Sequence, residues 1–316
     1  MKKKPLIVLT GPTAVGKTSL SVLLAKAVNG EIISADSMQV YKSMDIGSAK
    51  IRPEEMCGIP HHLIDVLEPT DEFNIVKFQE LSKQAIDKIY QSGKIPIIVG
   101  GTGFYIQSVL YDIAFEENEQ DKEYRTYLES IAATPGGDVK LYEMLKKVDP
   151  VSADIIHANN IKRVIRALEF FEETKTPISA HNKEQREKES PYNFCYFVLN
   201  DDREKLYKNI EIRVDNMLLE GLVDEVKALH DKGYSKNMVS MQGLGYKEIL
   251  DYLNGEISLE RAVYLIKRDT RHFAKRQLTW FRREKEVTWI NKPDFDYDNK
   301  KIIDYMITIL KEKQIL

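Results

Sequence analysis

The stretch "GPTAVGKTSL", Gly11 to Leu20, stands directly behind the apolar run "LIVLT" (6–10). Gly11, Gly16, Lys17 and Thr18 satisfy the spacing G-x-x-x-x-G-K-[ST] in full, a coincidence expected in about one chain in a hundred of this length. Glycines at those places let the backbone fold around phosphate oxygens. The N–H groups of the loop, and the start of the helix behind it, then point at the anion. The expected diphosphate-binding residues are therefore Gly11, Pro12, Thr13, Ala14, Val15, Gly16, Lys17, Thr18 and Ser19. Lys17 adds a mobile positive charge, and the Thr18 hydroxyl is the usual magnesium ligand. A strand feeding such a loop commits the chain to an α/β fold. What the loop recognises is a pair of linked phosphates, and whose diphosphate it holds is left open.

The rest of the first third agrees with that fold. "EIISA" (31–35), "HHLIDVL" (61–67) and "IPIIVGG" (95–101) read as further short strands. Helical patterns follow from Lys17 to Val28, over "FNIVKFQELSKQAIDKIYQSG" and from about Gly103. Apolar strands alternating with helices imply a parallel sheet covered on both faces. Near Phe115 the chain becomes helical and heavily charged, and strand signals return only at "YNFCYFVLN" (192–200). The expected organisation is an α/β core of 1–115 and 192–316 with a helical insertion domain at 116–191. Helices are expected over 203–220, 222–232, 245–254 and 258–286, with a late strand at "VTWI".

Of the 316 residues 43% are hydrophobic and 30% charged, as in ordinary globular chains, and the formal net charge is −3. Any polyanion site must therefore come from local clustering. Cys57 and Cys195 lack a CxxC or zinc-type spacing, which argues against disulfides and for a reducing, cytoplasmic setting. The basic N-terminus leads into an apolar run too short for a signal peptide or a membrane span.

A hydrolytic NTPase offers an Asp at the tip of a later strand, for magnesium and water. "IPIIVGG" ends in "GGTGFY" with no acid, and Asp65 lies inside its run rather than at the tip. Asp36, in "SADSMQVY", does sit at a strand tip, where loop residues of a parallel sheet face the ligand crevice. It can hold a metal, take a proton from an acceptor, or simply cap the next turn alongside Ser37.

"GPTAVGKTSL", "ISADSMQVYKSMDIGSAK", "PHHLID", "PIIVGGTGFY", "HANNIKRVIRALE", "GYKE" and "AKRQLTWFR" stand here in one order. From about Leu6 to Trp289 the chain resembles the bacterial tRNA dimethylallyltransferase family. The resemblance implies a P-loop NTPase-like core whose loop holds the diphosphate of an isoprenoid. It also implies transfer of a dimethylallyl group from dimethylallyl diphosphate to N6 of adenosine 37 of tRNA. Asp36 then resembles the general base, with Lys17, Thr18 and its Mg²⁺, and Arg213 of "IEIRVDNML" as the cations on the leaving diphosphate. For Arg213 the structural alternative is a surface arginine paired with Glu211 or Asp215. The tRNA contacts implied are Asp36, Ser37, Met38 and Gln39, Thr102, and Asn160, Ile161, Lys162, Arg163 and Val164. Thr102, Ser37 and Gln39 carry donors and acceptors for a flipped purine edge. Phe104 and Tyr105 supply stacking or form the first core turn of a helix.

Between Arg261 and Glu286 nine basic residues face three acids. Arg268, Arg271, Lys275 and Arg282 recur at helical spacing, so they share one face suited to RNA phosphates, with Arg276 beside it. Lys162, Arg163 and Arg166 form a smaller cluster for the anticodon stem. His61, His62, Cys57 and Cys195 read as structural, and "QGLGYKE" as a turn that brings Tyr246 and Lys247 near the site. The partners expected are the anticodon stem-loop of tRNA and dimethylallyl diphosphate, without a membrane, for a monomer. The chain ends at "KEKQIL" without the Cys/His pattern of the zinc finger some such proteins carry. A small-molecule or nucleoside kinase shares the loop, the metal and an acidic base, and an NTP-driven RNA-binding switch shares the loop. ATP turnover or phosphate transfer separates both from isoprenoid transfer.

Overall fold

The strands β1 (Lys4–Thr10), β2 (Gly30–Ala35), β3 (His61–His62), β4 (Ile95–Gly100), β5 (Tyr192–Asn200) and β6 (Val287–Asn291) pair in parallel. They form a six-stranded sheet of order β3-β2-β4-β1-β5-β6. The computed structural model describes residues 3–115 and 122–316; the acidic run "EENEQD" (116–121) that opens the expected insertion lies outside them. Leu6 to Thr10 of β1 are all buried, as a strand covered on both faces requires. Because every pairing is parallel, Thr10, Ala35, Gly100 and Asn200 lie at one edge of the sheet.

Helices α1 (Lys17–Val28), α2 (Pro53–Met56), α3 (Ile75–Gln91) and α4 (Gly103–Leu110) belong to the first half of the core. The Asn74 side chain accepts from the Lys77 N–H to start α3, whose buried face carries Phe78, Ala85, Ile86 and Ile89. The chain divides into two compact units, Met1–Leu110 with Pro191–Leu316, and Tyr111–Ser190. The second unit holds α5 (Lys122–Ala132), α6 (Gly137–Val148), α7 (Pro150–Ile155), α8 (Ile161–Thr174) and α9 (Ile178–Glu187). Its own core gathers Leu128, Leu141, Leu145, Val164, Ile165 and Leu168. After β5 the first unit resumes with α10 (Arg203–Leu219), α11 (Leu222–Asp231), α12 (Tyr246–Leu253), α13 (Leu259–Phe281) and α14 (Asn299–Glu312). No helix among the described residues is long and apolar enough to cross a membrane.

Three elements differ from expectation. "HHLIDVL" keeps only two strand residues, because Leu63 (φ 64°) and Asp65 (φ 54°) are left-handed and turn the chain out of the sheet. Helix α13 stops at Phe281 rather than 286, since the chain must reverse to enter β6 at Val287. Helix α14 was not anticipated. It starts at an Asp298 cap and packs Ile302, Met306 and Leu310 into the main core with Leu24, Ile97 and Phe197. Cys195 is buried as expected, whereas Cys57 is exposed, in the left-handed residue that ends α2. The two histidines do serve structure: His61 Nδ1 meets the Ile59 carbonyl at 2.8 Å, and His62 Nε2 meets the buried Glu31 carboxylate at 2.7 Å.

Candidate active site at the carboxyl edge of the sheet

The phosphate loop leaves β1 at Gly11, whose φ of 146° and close approach to β5 exclude a side chain. A Cβ there would lie 2.6 Å from the Leu199 carbonyl oxygen. The loop ends at the left-handed Gly16, where α1 begins. Lys17 Nζ turns back and donates to the Gly11 and Pro12 carbonyls at 2.9 and 2.8 Å. Burial, and next the charge of Arg213, push the Lys17 amine down to about 7, with Asp36 pulling the other way. Thr18 and Ser19 lie exposed on the first turn of α1. Val15 is buried and Pro12 has no N–H, so these two shape the loop rather than offer donors.

Arg213 points at this loop from α10. Its Nη1 donates to Thr13 Oγ1 at 3.3 Å, and burial lowers its pKa while Asp36 opposes the shift. The acids that could have paired with it are engaged elsewhere: Glu211 with Arg271 at 2.9 Å and Asp215 with Lys267 at 2.6 Å. A cleft of about 250 Å³ runs along Arg213, lined also by Lys50, Arg52, Asn216 and Met217.

Asp36 follows directly on β2. Its Oδ1 accepts from the Met38 and Gln39 N–H groups at 2.8 and 3.4 Å, so it does cap the next turn. It also lies near enough to Lys17 and Arg213 to act on both electrostatically. Thr102 stands beside it, its N–H donating to the Ala35 carbonyl at 3.3 Å and joining the exits of β4 and β2. Ser37 and Thr102 are partly exposed in this crevice. Gln39 requires a correction. Its Oε1 accepts from Ser34 Oγ at 3.0 Å, and its Nε2 donates to the Ser48 and Ala49 carbonyls at 3.4 and 3.3 Å. The amide expected to face a purine is holding the 43–50 loop in place. Tyr105 stacks on Phe78 at 4.5 Å and is partly buried, while Phe104 is exposed against Trp280.

The "QGLGYKE" turn reaches the site through that same loop. Glu225 of α11 accepts the Asp45, Ile46 and Gly47 N–H groups at 2.9, 2.8 and 3.0 Å, and the Tyr246 hydroxyl at 2.7 Å. Met38 packs over Gly243. Two more residues missed in the sequence grip the phosphate loop. Lys292, just past β6, donates to the Val15 carbonyl at 3.1 Å, and Gln277 of α13 accepts the Thr13 N–H at 2.8 Å. The signal for Gln277 was a polar residue at a core position of an amphipathic helix.

The basic face of α13 is less uniform than its sequence. Arg268 closes on Asp269, and Arg271 and Lys267 close on the acids of α10. Lys275, Arg276, Arg282 and Arg283 are exposed and make no ion pair among the described residues. In the second unit Asn160 stands at the N-cap position of α8 without a side-chain capping bond, and Lys162, Arg163 and Arg166 are exposed. Val164 is 0% exposed in that unit's core, so its side chain does not face RNA as expected, and Ile161 packs against that core while staying partly exposed.

Residues 39–284 match the sequence model of the IPP transferase family. The chain belongs to that family. A tRNA dimethylallyltransferase of Lachnoclostridium phytofermentans is 62% identical over 313 residues, covering 99% of each chain. That of Acetivibrio thermocellus is 53% identical over 94% of each. Among solved structures, the tRNA isopentenylpyrophosphate transferase of Bacillus halodurans superposes with a TM-score of 0.73 at 44% identity, covering 99% of this chain and 98% of that one. A eukaryotic dimethylallyltransferase acting on tRNA gives 0.78 at 33% identity, over 91% of this chain and 74% of that one. The phosphate loop precedes the stretch matched by the IPP transferase model, but the 313-residue alignment to the Lachnoclostridium phytofermentans relative extends over it. The parallel sheet flanked by helices is the P-loop NTPase-like fold of these IPP transferases.

Proposed function

We propose that this chain transfers a dimethylallyl group from dimethylallyl diphosphate to N6 of adenosine 37, beside the tRNA anticodon, and releases diphosphate. The observation that carries the reading is the meeting of two loop-facing cations, Lys17 and Arg213, with the strand-tip carboxylate Asp36. One side suits a leaving diphosphate and the other an amine that must lose a proton. The N6 lone pair is delocalised into adenine, so the amine attacks poorly unaided. As N6 bonds to the isoprenoid C1 and the C1–O bond breaks, the Asp36 carboxylate accepts the N6 proton, help typically worth about 10²–10⁴-fold. Lys17, the loop N–H groups and Arg213 stabilise the charge growing on the diphosphate.

A magnesium ion fits the exposed Thr18 hydroxyl at the start of α1. When bound it would add further charge neutralisation on the leaving group. Ser37 and Thr102 suit the edge of a flipped base, and the exposed lysines and arginines of α13 and α8 suit tRNA phosphates. The setting this implies is a cytoplasmic monomer.

The test is transfer of label from dimethylallyl diphosphate to unmodified tRNA with Mg²⁺, beside the same mixture containing labelled ATP. Label on tRNA supports the reading, and ATP turnover without it would replace the reading with phosphoryl transfer. Asp36→Ala should slow transfer by about 10²–10⁴-fold with tRNA affinity within about threefold. Equal losses in rate and affinity would make Asp36 an RNA-positioning residue instead.

A further inference from the structure

Helix α13 buries Ala262, Ile266, Thr270, Ala274, Gln277 and Phe281 along one seam. At Gln277 that seam holds an amide that is 6% exposed. Burying an amide is unfavourable unless both of its ends find partners. Here both do, and the partners are backbone groups of two different loops. Oε1 accepts the Thr13 N–H at 2.8 Å, and Nε2 donates to the Gly101 carbonyl at 3.0 Å. Residue 101 must be glycine for this, because a Cβ there would lie 2.1 Å from Nε2.

Thr13 is thereby held twice, its N–H by Gln277 and its hydroxyl by Arg213. Its N–H is taken up by Gln277, so the loop donors left for an anion begin at Ala14. Gly101 directly precedes Thr102, whose N–H is tied to the end of β2 just before Asp36. One side chain therefore links the diphosphate loop to the loop beside the proposed base. The same helix exposes Lys275 and Arg276 immediately before it.

We propose that Gln277 is a positioning residue that holds the donor loop and the acceptor loop in mutual register, linking phosphates drawn onto α13 to the geometry of the diphosphate loop. This rests on the transferase reading above. Gln277 itself touches neither substrate. Its loss leaves each loop able to bind its own ligand but misaligns the two reacting atoms, and displacement on this scale costs up to about 100-fold in rate.

The test uses Gln277→Met, close in volume but without the amide, and Gln277→Glu, which keeps the acceptor for Thr13 and loses the donor to Gly101. The single-turnover rate is measured beside the separate affinities for dimethylallyl diphosphate and an anticodon stem-loop. Gln277→Met is expected to slow transfer about 10- to 100-fold with each affinity within about threefold, and Gln277→Glu to fall between it and the unaltered chain. An unchanged rate in the folded Gln277→Met protein overturns the proposal. So does a fall in rate matched by diphosphate affinity, which would confine Gln277 to the donor loop. Should Gln277→Met fail to fold, Gln277→Glu is judged by the same two criteria. Hydrogen exchange with inorganic diphosphate as the probe separates this from the transferase reading. In the unaltered chain diphosphate should slow exchange over 100–105 as well as 11–19, and in Gln277→Met over 11–19 alone. Protection of both segments in both proteins overturns the coupling, whatever reaction the enzyme performs.

Discussion

Lys17 shows how one residue's chemistry is set by its surroundings. Burial and then Arg213 bring its pKa to about 7, so near neutrality the free loop holds it about half charged. A bound diphosphate favours the ammonium, so binding should draw in a proton wherever the free lysine has lost one. Above pH 7, once the diphosphate itself is fully ionised, affinity should weaken by up to about tenfold per pH unit. Calorimetry at pH 8 in two buffers of different ionisation enthalpy is expected to show uptake approaching one proton. No uptake would mean that Lys17 remains charged in the empty loop. Lys17 and Asp36 are marked in the sequence by motif and strand position, whereas Arg213 and Thr102 were expected only through the family resemblance. Gln39 was expected to face a purine, but its amide is taken up by Ser48 and Ala49, which reach it only through the fold of the loop.

At the scale of elements, one buried carboxylate joins two short helices. Asp149 caps α7, accepting from the Ser152 N–H and hydroxyl, and also accepts from the Ser179 N–H and hydroxyl at the start of α9. Burial alone would raise its pKa, but these hydrogen bonds outweigh burial and hold the carboxyl below the ordinary aspartate range. Its stabilisation is therefore complete above about pH 4 and is lost as pH falls through the depressed value. Asp149→Ala should destabilise the second unit by about 2–4 kcal/mol, since it leaves buried donors unpaired. In urea unfolding, the gap between the two proteins should narrow below about pH 4; a gap that is constant with pH would mean that the charge plays no part. The cap and the proline after it can be read in "DPVSA". The second contact, thirty residues away, cannot.

Over the whole molecule a net charge of −3 coexists with a locally basic helix. The structure divides that helix, with Lys267, Arg268 and Arg271 paired to acids and Lys275, Arg276 and Arg282 exposed. Charge reversal at the exposed positions is the cleaner probe of RNA contact. Lys275→Glu with Arg276→Glu should weaken tRNA binding and lower the slope of log affinity against log salt by about two. An unchanged slope would remove this face from the interface. Arg271→Glu would also set an acid against Glu211, so its effect on binding would mix with one on stability.

Sequence alone determined the parallel α/β core and the diphosphate loop, because their signals are local. An apolar strand, two glycines, a lysine and a threonine fall within one short stretch, and each constrains its own backbone. It also marked Asp36, since a strand tip in a parallel sheet has a known facing. Only the tertiary structure decided which side chains join these pieces. Gln277 lies 264 residues from the Thr13 it holds, and Glu225 about 180 from the Asp45–Gly47 amides. It likewise ended β3 after two residues, through left-handed turns at Leu63 and Asp65 that an apolar run does not announce. A hydrogen bond between distant segments leaves no periodicity and no spacing behind. It exists only once the sheet has brought its strand ends to a common edge.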